Sequence, residues 1–347
     1  MIKIGQSVID EGSRPYVIAE MSANHNGKIE NAFEIIRQAK LAGADAVKIQ
    51  TYRPDTITLD SSLPDFQITE GLWSGKTLYE LYEWAHTPWG WHKELFNKAK
   101  EYDITLFSSP FDNTAVDLLE DLGAPAYKIA SFEAVDHQLI EYAASTSKPL
   151  IISTGMANET EIEEAIDVAK QAGCTQLAIL HCVSGYPAPA ADYNLSTILD
   201  MRNRYGVLTG LSDHTLSNTT ALASVALGAK IIEKHFTLDR NGGGPDDSFS
   251  ITPSQLVELV QGCREVWSAV GKPSYHQKDS EKDNIKFRRS LYFVKDASAG
   301  TIVNEQHIRS VRPGYGIAPK FYKELVGKRL VKDVSRGTRV AWDAFED

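Results

Sequence analysis

Short apolar runs and longer amphipathic stretches alternate along the first 270 residues with little between them. Residues 16–23, 46–52, 105–110, 126–131, 149–155, 177–183, 207–213 and 231–238 are apolar runs of strand length. The stretches 29–41, 89–102, 114–122, 138–145, 159–172, 195–205, 218–227 and 253–270 carry apolar residues near a 3.6-residue period. Ile29, Ala32, Phe33, Ile35, Ile36 and Ala39, for example, fall on one helical face. Gly43, Gly123, Gly173 and Gly228 each follow a helix-like stretch, as cap residues do. Eight strand–helix units predict an α/β fold, the (β/α)8 TIM barrel, whose ordinary size is about 250 residues. A doubly wound open sheet is the alternative. Its dinucleotide-binding form is disfavoured, because no Gly-x-Gly-x-x-Gly follows the first strand.

Two regions depart from this rhythm. Residues 53–87 are too long for a simple connection and carry Phe66, Trp73, Tyr79, Tyr82 and Trp84. So many aromatics predict a lid or contact segment rather than disorder, with a helix over 77–85. Beyond the barrel domain, 1–271, residues 272–289 are polar and read as a linker. Residues 290–347 read as a small β-rich domain with an internal repeat. Residues 294–303 match 331–340 at Val, Lys, Asp, Ser, Gly, Thr and Val, which predicts two similar turn-and-strand pieces. So small a domain buries a modest core and is expected to lean on the barrel or on another subunit.

The chain has 347 residues, 42% hydrophobic and 24% charged, in the ordinary globular range. It has no apolar run of membrane-spanning length and no signal-peptide pattern, so a cytoplasmic protein is expected. A net charge of −10 argues against nucleic acid or anionic membrane as partner. Cys174, Cys182 and Cys263 are too few and scattered for a disulfide framework and read as small core residues.

In such a barrel the chemistry belongs at the C-terminal ends of the strands. Polar residues gather there: Glu20 with Asn24-His25-Asn26-Gly27, Lys48 and Gln50, Ser108 and Ser109, Lys128 and Ser131, Ser153 and Thr154, His181 and Tyr186, Ser212-Asp213-His214, and Glu233 and His235. His214 and His235 end adjacent strands, so their imidazoles could share an exchangeable Lewis-acid metal; two separately hydrogen-bonded histidines are the alternative. Lys48 and Lys128 could form a Schiff base or hold an anion. Ser109, Ser131, Ser153 and Ser212 could surround a phosphate. The glycines of 241–247 permit a tight loop whose carboxylates could reach the site; a plain turn is the rival reading.

Several strings carry a family resemblance: Ala19-Glu20-Met21-Ser22-Ala23-Asn24-His25-Asn26-Gly27, Lys48-Ile49-Gln50-Thr51, Tyr127-Lys128-Ile129, Ser153-Thr154-Gly155-Met156, His181-Cys182, Gly210-Leu211-Ser212-Asp213-His214-Thr215, Glu233-Lys234-His235-Phe236 and Gly244-Pro245-Asp246. In this order they resemble the sialic acid synthase family. Residues 290–347, with Val311-Arg312-Pro313-Gly314, resemble the antifreeze-like (SAF) domain that ends those enzymes.

The resemblance implies a metal-dependent transferase that condenses phosphoenolpyruvate with an open-chain amino sugar and releases phosphate. It implies His214 and His235 as ligands of a divalent metal, manganese first, magnesium or cobalt as alternatives. It assigns Lys48, Ser109, Lys128, Ser131, Ser153 and Ser212 to phosphoenolpyruvate, Ser109 standing where a threonine is usual. Glu20, Glu233 and Asp246 match the catalytic carboxylates. Asn24, Gln50, Tyr186, Asp246, Phe287 and Arg312 match the sugar side, Arg312 reaching a partner's site in a domain-swapped homodimer. After His181-Cys182 the usual asparagine of the N-acetylneuraminate branch is missing; the run is Val183-Ser184-Gly185-Tyr186. The segments 71–79 and 87–91 look like the pseudaminic acid synthase branch, whose substrate is a 2,4-diacetamido-2,4,6-trideoxy hexose. N-acetylneuraminate or legionaminate synthesis is the alternative. A Schiff-base aldolase and a carbohydrate- or ice-binding protein are the more distant readings.

Overall fold

The eight apolar runs form the eight parallel strands of a closed barrel. The computed structural model describes residues 1–346, and the chain divides after Gly271 into two compact units. The first unit begins with an antiparallel hairpin of β1 (Ile2–Ile4) and β2 (Ser7–Ile9), which the hydrophobic pattern did not announce. The barrel follows: β3 (Tyr16–Glu20), β4 (Ala46–Thr51), β5 (Thr105–Pro110), β6 (Tyr127–Ile129), β7 (Leu150–Ser153), β8 (Leu177–Cys182), β9 (Leu208–Asp213) and β10 (Ile231–His235), which pairs back onto β3.

Outside the strands lie α1 (Ile29–Ala42), the short α2 (Pro54–Ile57), α3 (Leu78–Ala85), α4 (His92–Glu101), α5 (Asn113–Asp121), α6 (His137–Ser145), α7 (Glu159–Gln171), α8 (Ser196–Tyr205), α9 (Thr219–Ala226) and α10 (Pro253–Val270). Helix starts are set by local side chains. Asp112 accepts from the Thr114 and Ala115 amides, and Asn158 forms a capping box with Glu161, each cap contributing about 1 kcal/mol. Gly43, Gly123, Gly173 and Gly228 all take the left-handed φ expected after a helix.

Every strand is sorted by its two-residue period. Outward residues such as Val17, Ala19, Val47, Ile49, Ile152 and Ile179 pack under the helices. Inward residues are apolar toward the N-terminal ends: Tyr16, Ile18, Ala46, Phe107, Ala126, Ile151, Ala178, Leu180, Leu208 and Ile231 form one cluster inside the barrel. Ile2, Ile4 and Ile9 of the hairpin join that cluster. At about 1.5–3 kcal/mol for each buried isoleucine, the hairpin earns its place as part of the barrel core. One or two steps further along each strand the inward series turns polar: Glu20, Lys48, Ser109, Lys128, Ser153, Ser212, Glu233. Gly210 is required where β9 crosses the interior, because a Cβ there would stand 2.3 Å from the Ile231 carbonyl oxygen.

The second unit spans residues 272 to 346. Residues 272–289 bury no side chain, yet Asp279–Phe287 forms a 3-10 helix where a featureless linker was expected. β11 (Ser290–Phe293) pairs antiparallel with β12 (Ile308–Val311), and α11 (Tyr322–Leu325) follows. The repeat explains the architecture. Ala297 and Val334, equivalent positions, form an antiparallel bridge with each other. Around them the bonds are reciprocal: Asp333 accepts from the Ala299 amide at 2.8 Å, and Asp296 accepts from the Arg336 amide at 2.7 Å. Gly300 donates to Leu330 and Gly337 to Phe293, so the two halves are related by a pseudo-two-fold. Leu291, Phe293, Val303, Leu325, Leu330 and Val340 fill the core between them.

Candidate active site

Four buried charges occupy the C-terminal mouth of the barrel. Lys48 Nζ lies 2.7 Å from Glu20 Oε2, 3.1 Å from Ser109 Oγ and 3.7 Å from Glu233 Oε1. Lys128 Nζ lies 3.6 Å from the same Glu233 oxygen, which also accepts from Ser212 Oγ at 3.3 Å. Burial disfavours the Lys48 ammonium, but Glu20 and Glu233 outweigh it and raise its pKa. Burial prevails at Lys128 and lowers its pKa. Glu20 is pushed up by burial. At Glu233 burial is overcome by Lys128 and Lys48, which hold the carboxyl below its usual range. Two ammonium groups with two carboxylates make a neutral buried set whose cations are poised for an anion.

Hydroxyls stand beside them. Ser153 Oγ and Ser184 Oγ are buried without a hydrogen-bond partner. A Cβ on Gly155 would lie 2.2 Å from Ser184 Oγ and 2.9 Å from Ser131 Oγ, so only glycine leaves room between them. Unpartnered buried hydroxyls beside two ammonium groups suit a bound oxyanion.

A polar relay leads outward from this cradle. Gln50 Nε2 donates to Glu20 Oε1 at 3.1 Å and to Ser22 Oγ at 3.0 Å, and Ser22 donates to Asp246 Oδ2 at 2.5 Å. Asp246 Oδ2 lies 3.9 Å from His235 Nδ1. The imidazoles of His214 and His235 are 5.4 Å apart between ring centres, and Tyr186 packs on His214 at 4.3 Å. His214 Nδ1 faces the Val183 carbonyl at 2.8 Å; donating there leaves Nε2 as its free lone pair. His235 Nδ1 is buried with no hydrogen-bond partner, and burial holds this ring well toward its neutral form. At His214 burial is outweighed by the Cys182 sulfur, the Val183 carbonyl and Glu233, which raise its pKa, so a divalent ion there would displace the proton that His214 otherwise tends to hold, while His235 offers a neutral ring with an unspent nitrogen. Among the described residues no group of three or more His, Cys, Asp or Glu is arranged to hold a metal ion, so the imidazole pair would supply the protein's ligands by itself.

The architecture has close counterparts. Residues 35–275 match the model of the NeuB family, and residues 288–346 match the SAF domain. The chain belongs to the NeuB family. It is 43% identical to a pseudaminic acid synthase of Campylobacter jejuni over 322 residues, 93% of this chain and 94% of that one. It is 36% identical to an N,N'-diacetyllegionaminic acid synthase of the same species, over 91% of this chain and 96% of that one. A solved N-acetylneuraminic acid synthetase of Leptospira borgpetersenii, in complex with citrate, superposes with a TM-score of 0.73 at 30% identity, covering 83% of this chain and 95% of that one.

Within this NeuB-family barrel the strand period separates the polar residues gathered by sequence. Ser108, His181 and Asp213 face outward, unlike their neighbours Ser109, Cys182 and Ser212. Ser108 bonds Thr51 at 2.6 Å, His181 packs on Tyr193, and Asp213 pairs with Lys234 at 2.7 Å. Asn24 is turned away from the cleft: its amide donates to the Phe236 carbonyl and to Ser250 Oγ, which makes it a strut for the loop after β10. Cys174 and Cys263 are buried, but Cys182 is no plain core residue. Its Sγ accepts from Ser131 at 3.2 Å and lies 3.9 Å from His214 Nδ1. Phe287 and Arg312 belong to the second unit, both exposed.

Further residues line the cleft, Tyr82 of the aromatic-rich segment among them, and most have no role in the sequence reading. Tyr52, which packs on Tyr82 and Phe111, joins Ile57, Leu81 and Ala85 as its apolar lining, and Trp73, Tyr186, His235 and Asp246 line the same cleft. Glu133 reaches the same cleft; burial pushes its carboxyl up to about 7, and its Oε2 has no partner. Glu133 ends a 3-10 turn, Ser131–Glu133, and Ser184 lies in the run after His181-Cys182 already singled out, but only their position after a strand end could have given either a place in the site.

Proposed function

We propose that this chain acts as a pseudaminic acid synthase, condensing phosphoenolpyruvate with 2,4-diacetamido-2,4,6-trideoxy-L-altrose to give a nine-carbon 2-keto acid and phosphate. The observation that carries this reading is the pair of buried ammonium groups beside unpartnered hydroxyls, one relay away from the imidazole pair. Lys48 and Lys128 take the carboxylate and phosphate charges of phosphoenolpyruvate, and Ser131, Ser153 and Ser184 donate to phosphate oxygens. Glu20 and Glu233 hold the two ammonium groups in place. Gln50, Tyr186 and Asp246 face the sugar end. Bonding runs from C3 of phosphoenolpyruvate to the sugar aldehyde carbon. Water then adds at the cationic C2, and the tetrahedral adduct expels phosphate. Glu20, Glu233 and Asp246 are the carboxylates within reach to move the protons. His214 and His235 would hold a divalent ion, Mn2+ before Mg2+ or Co2+, supplying Lewis-acid polarisation of the aldehyde. The apolar wall around Tyr52, Leu81 and Phe111 suits the methyl groups of a 6-deoxy, diacetamido sugar better than a fully hydroxylated one.

The test is phosphate release from phosphoenolpyruvate, with manganese, against three sugars: N-acetylmannosamine, the 6-deoxy-2,4-diacetamido altrose and the mannose-configured legionaminate precursor. Release with the altrose sugar alone is expected. Release with N-acetylmannosamine alone would move the chain to N-acetylneuraminate synthesis, and silence with all three would overturn condensation.

We also propose that the chain works as a homodimer in the cytoplasm, where phosphoenolpyruvate is made, with Arg312 and Phe287 serving the sugar end of a second copy's site. Arg312→Ala then raises the KM for the sugar about 10-fold or more, the cost of a lost charged hydrogen bond, and leaves that for phosphoenolpyruvate unchanged. A fully active monomer in sedimentation at assay concentration would refute the trans role.

A further inference from the structure

Residues 53–86 cover the sugar side of the cleft and supply much of its apolar wall, including Ile57, Leu81, Tyr82 and Ala85. Their own hydrogen bonds stay local. Gln67 bridges Thr77, Ile68 donates to Lys76, Ser74 to Thr69, and Thr77 forms a capping box with Glu80. Among the described residues a single hydrogen bond joins this segment to chain outside it: the Trp73 indole N–H donates to the Pro245 carbonyl at 2.9 Å, across 172 positions of sequence. Residues 69–75 are otherwise exposed, and Trp73 alone among them is half-buried. Leu59, Leu63 and Leu72 are more than half exposed, so little apolar burial holds these parts of the segment down. At its two ends the segment is packed, with Arg53 over Trp89 and with Leu81 buried and Tyr82 against Tyr52, so it is the stretch between, with one tether and few buried contacts, that opens at low cost.

The tether lands where the chemistry is. Pro245 is buried and precedes Asp246, whose carboxylate takes the Ser22 hydroxyl and faces His235. The Trp73 ring lies 5.9 Å from that of Tyr186, which itself packs on His214. The backbone on the acceptor side is fixed: Asp247 accepts from the Gly244 amide and from Asn26, both at 2.8 Å. The mobile partner of the bond is therefore the tryptophan side.

We propose that Trp73 is the latch of a substrate-closing lid: its indole N–H ties residues 53–86 to the Asp246 loop and closes the apolar wall onto the amino sugar. This makes Trp73 a positioning residue that sets sugar affinity without touching phosphoenolpyruvate. The inference rests on the condensing reading above only in naming the sugar; the tether itself is independent of which amino sugar enters.

Trp73→Phe keeps an aromatic ring and removes the N–H. In the full-length free protein, trypsin cleavage after Lys76 should quicken about 5-fold, the factor expected for one neutral hydrogen bond. With phosphoenolpyruvate saturating, the KM for the accepted amino sugar should rise by a similar factor. The KM for phosphoenolpyruvate and the urea midpoint should stay at wild-type values. Trp73→Ala should show the same pattern with a larger change. Unchanged cleavage overturns the latch. Faster cleavage with an unchanged sugar KM overturns its role in closing on substrate, and equal rises in both KM values reduce Trp73 to general structure. If the sugar panel selects a different amino sugar, the specific substrate assignment fails while both measurements here still read the latch with that sugar.

Discussion

Lys48→Met is expected to abolish phosphate release from phosphoenolpyruvate and to destabilise the barrel by about 3–5 kcal/mol, the cost of leaving a buried charge without its partner. Lys48 is 2% exposed and is shared between Glu20 at 2.7 Å and Glu233 at 3.7 Å. Methionine matches its length, so the loss is electrostatic rather than a cavity. The pH dependence gives the sign. Burial already raises Glu20, and without Lys48 its folded pKa rises further above the unfolded carboxylate value. The folded variant then binds more protons than the unfolded chain, so its stability falls as pH rises through that window and recovers toward acid. Urea unfolding of the variant from pH 5 to 8 checks this. Lys48→Met combined with Glu20→Gln should restore most of the stability and none of the turnover. A stable, active Lys48→Met protein would refute the assignment of Lys48 to substrate.

His235→Ala should lower turnover by roughly 10³-fold or more, since Lewis-acid stabilisation is worth several kcal/mol in the transition state. It should also remove tight Mn2+ binding, which titration with the metal alone reads without any substrate. The fold should persist, because the His235 Nδ1 makes no hydrogen bond that the barrel would lose. His214→Ala should behave alike for the metal but cost more stability, since His214 bonds Val183 and supports Tyr186. Chelator-treated wild-type protein should match the His235→Ala rate and recover on adding Mn2+. Wild-type turnover that survives chelation would refute the ligand pair.

Much of this site is readable along the chain because strand chemistry is local. Each strand run changes from apolar to polar before it ends, as in Tyr16, Ile18, Glu20 or Ile231, Glu233, His235. That change names the catalytic end before any coordinates exist. The helix caps and the 37-residue repeat of the second unit are equally local. What the pattern leaves open is phase. Ser108 and Ser109, or Ser212 and Asp213, are adjacent polar residues, and one of each pair points into the cleft while the other points at the helices. Only the pleat, fixed by packing on both faces of the sheet, decides which.

The sequence by itself determined the eight-fold alternation of strand and helix, the rim at which polar residues gather, the two histidines and two lysines on it, and the family. Those features depend on side-chain type and short-range period, which the chain carries at every position. Tertiary structure alone decided that β1 and β2 join the barrel core, that Cys182 lies between Ser131 and His214, that Glu133 lines the cleft, and that Trp73 reaches Pro245. The two halves of the repeat also pair with each other only in three dimensions. Each of these joins residues far apart in sequence, and such contacts exist only once burial has brought the surfaces together.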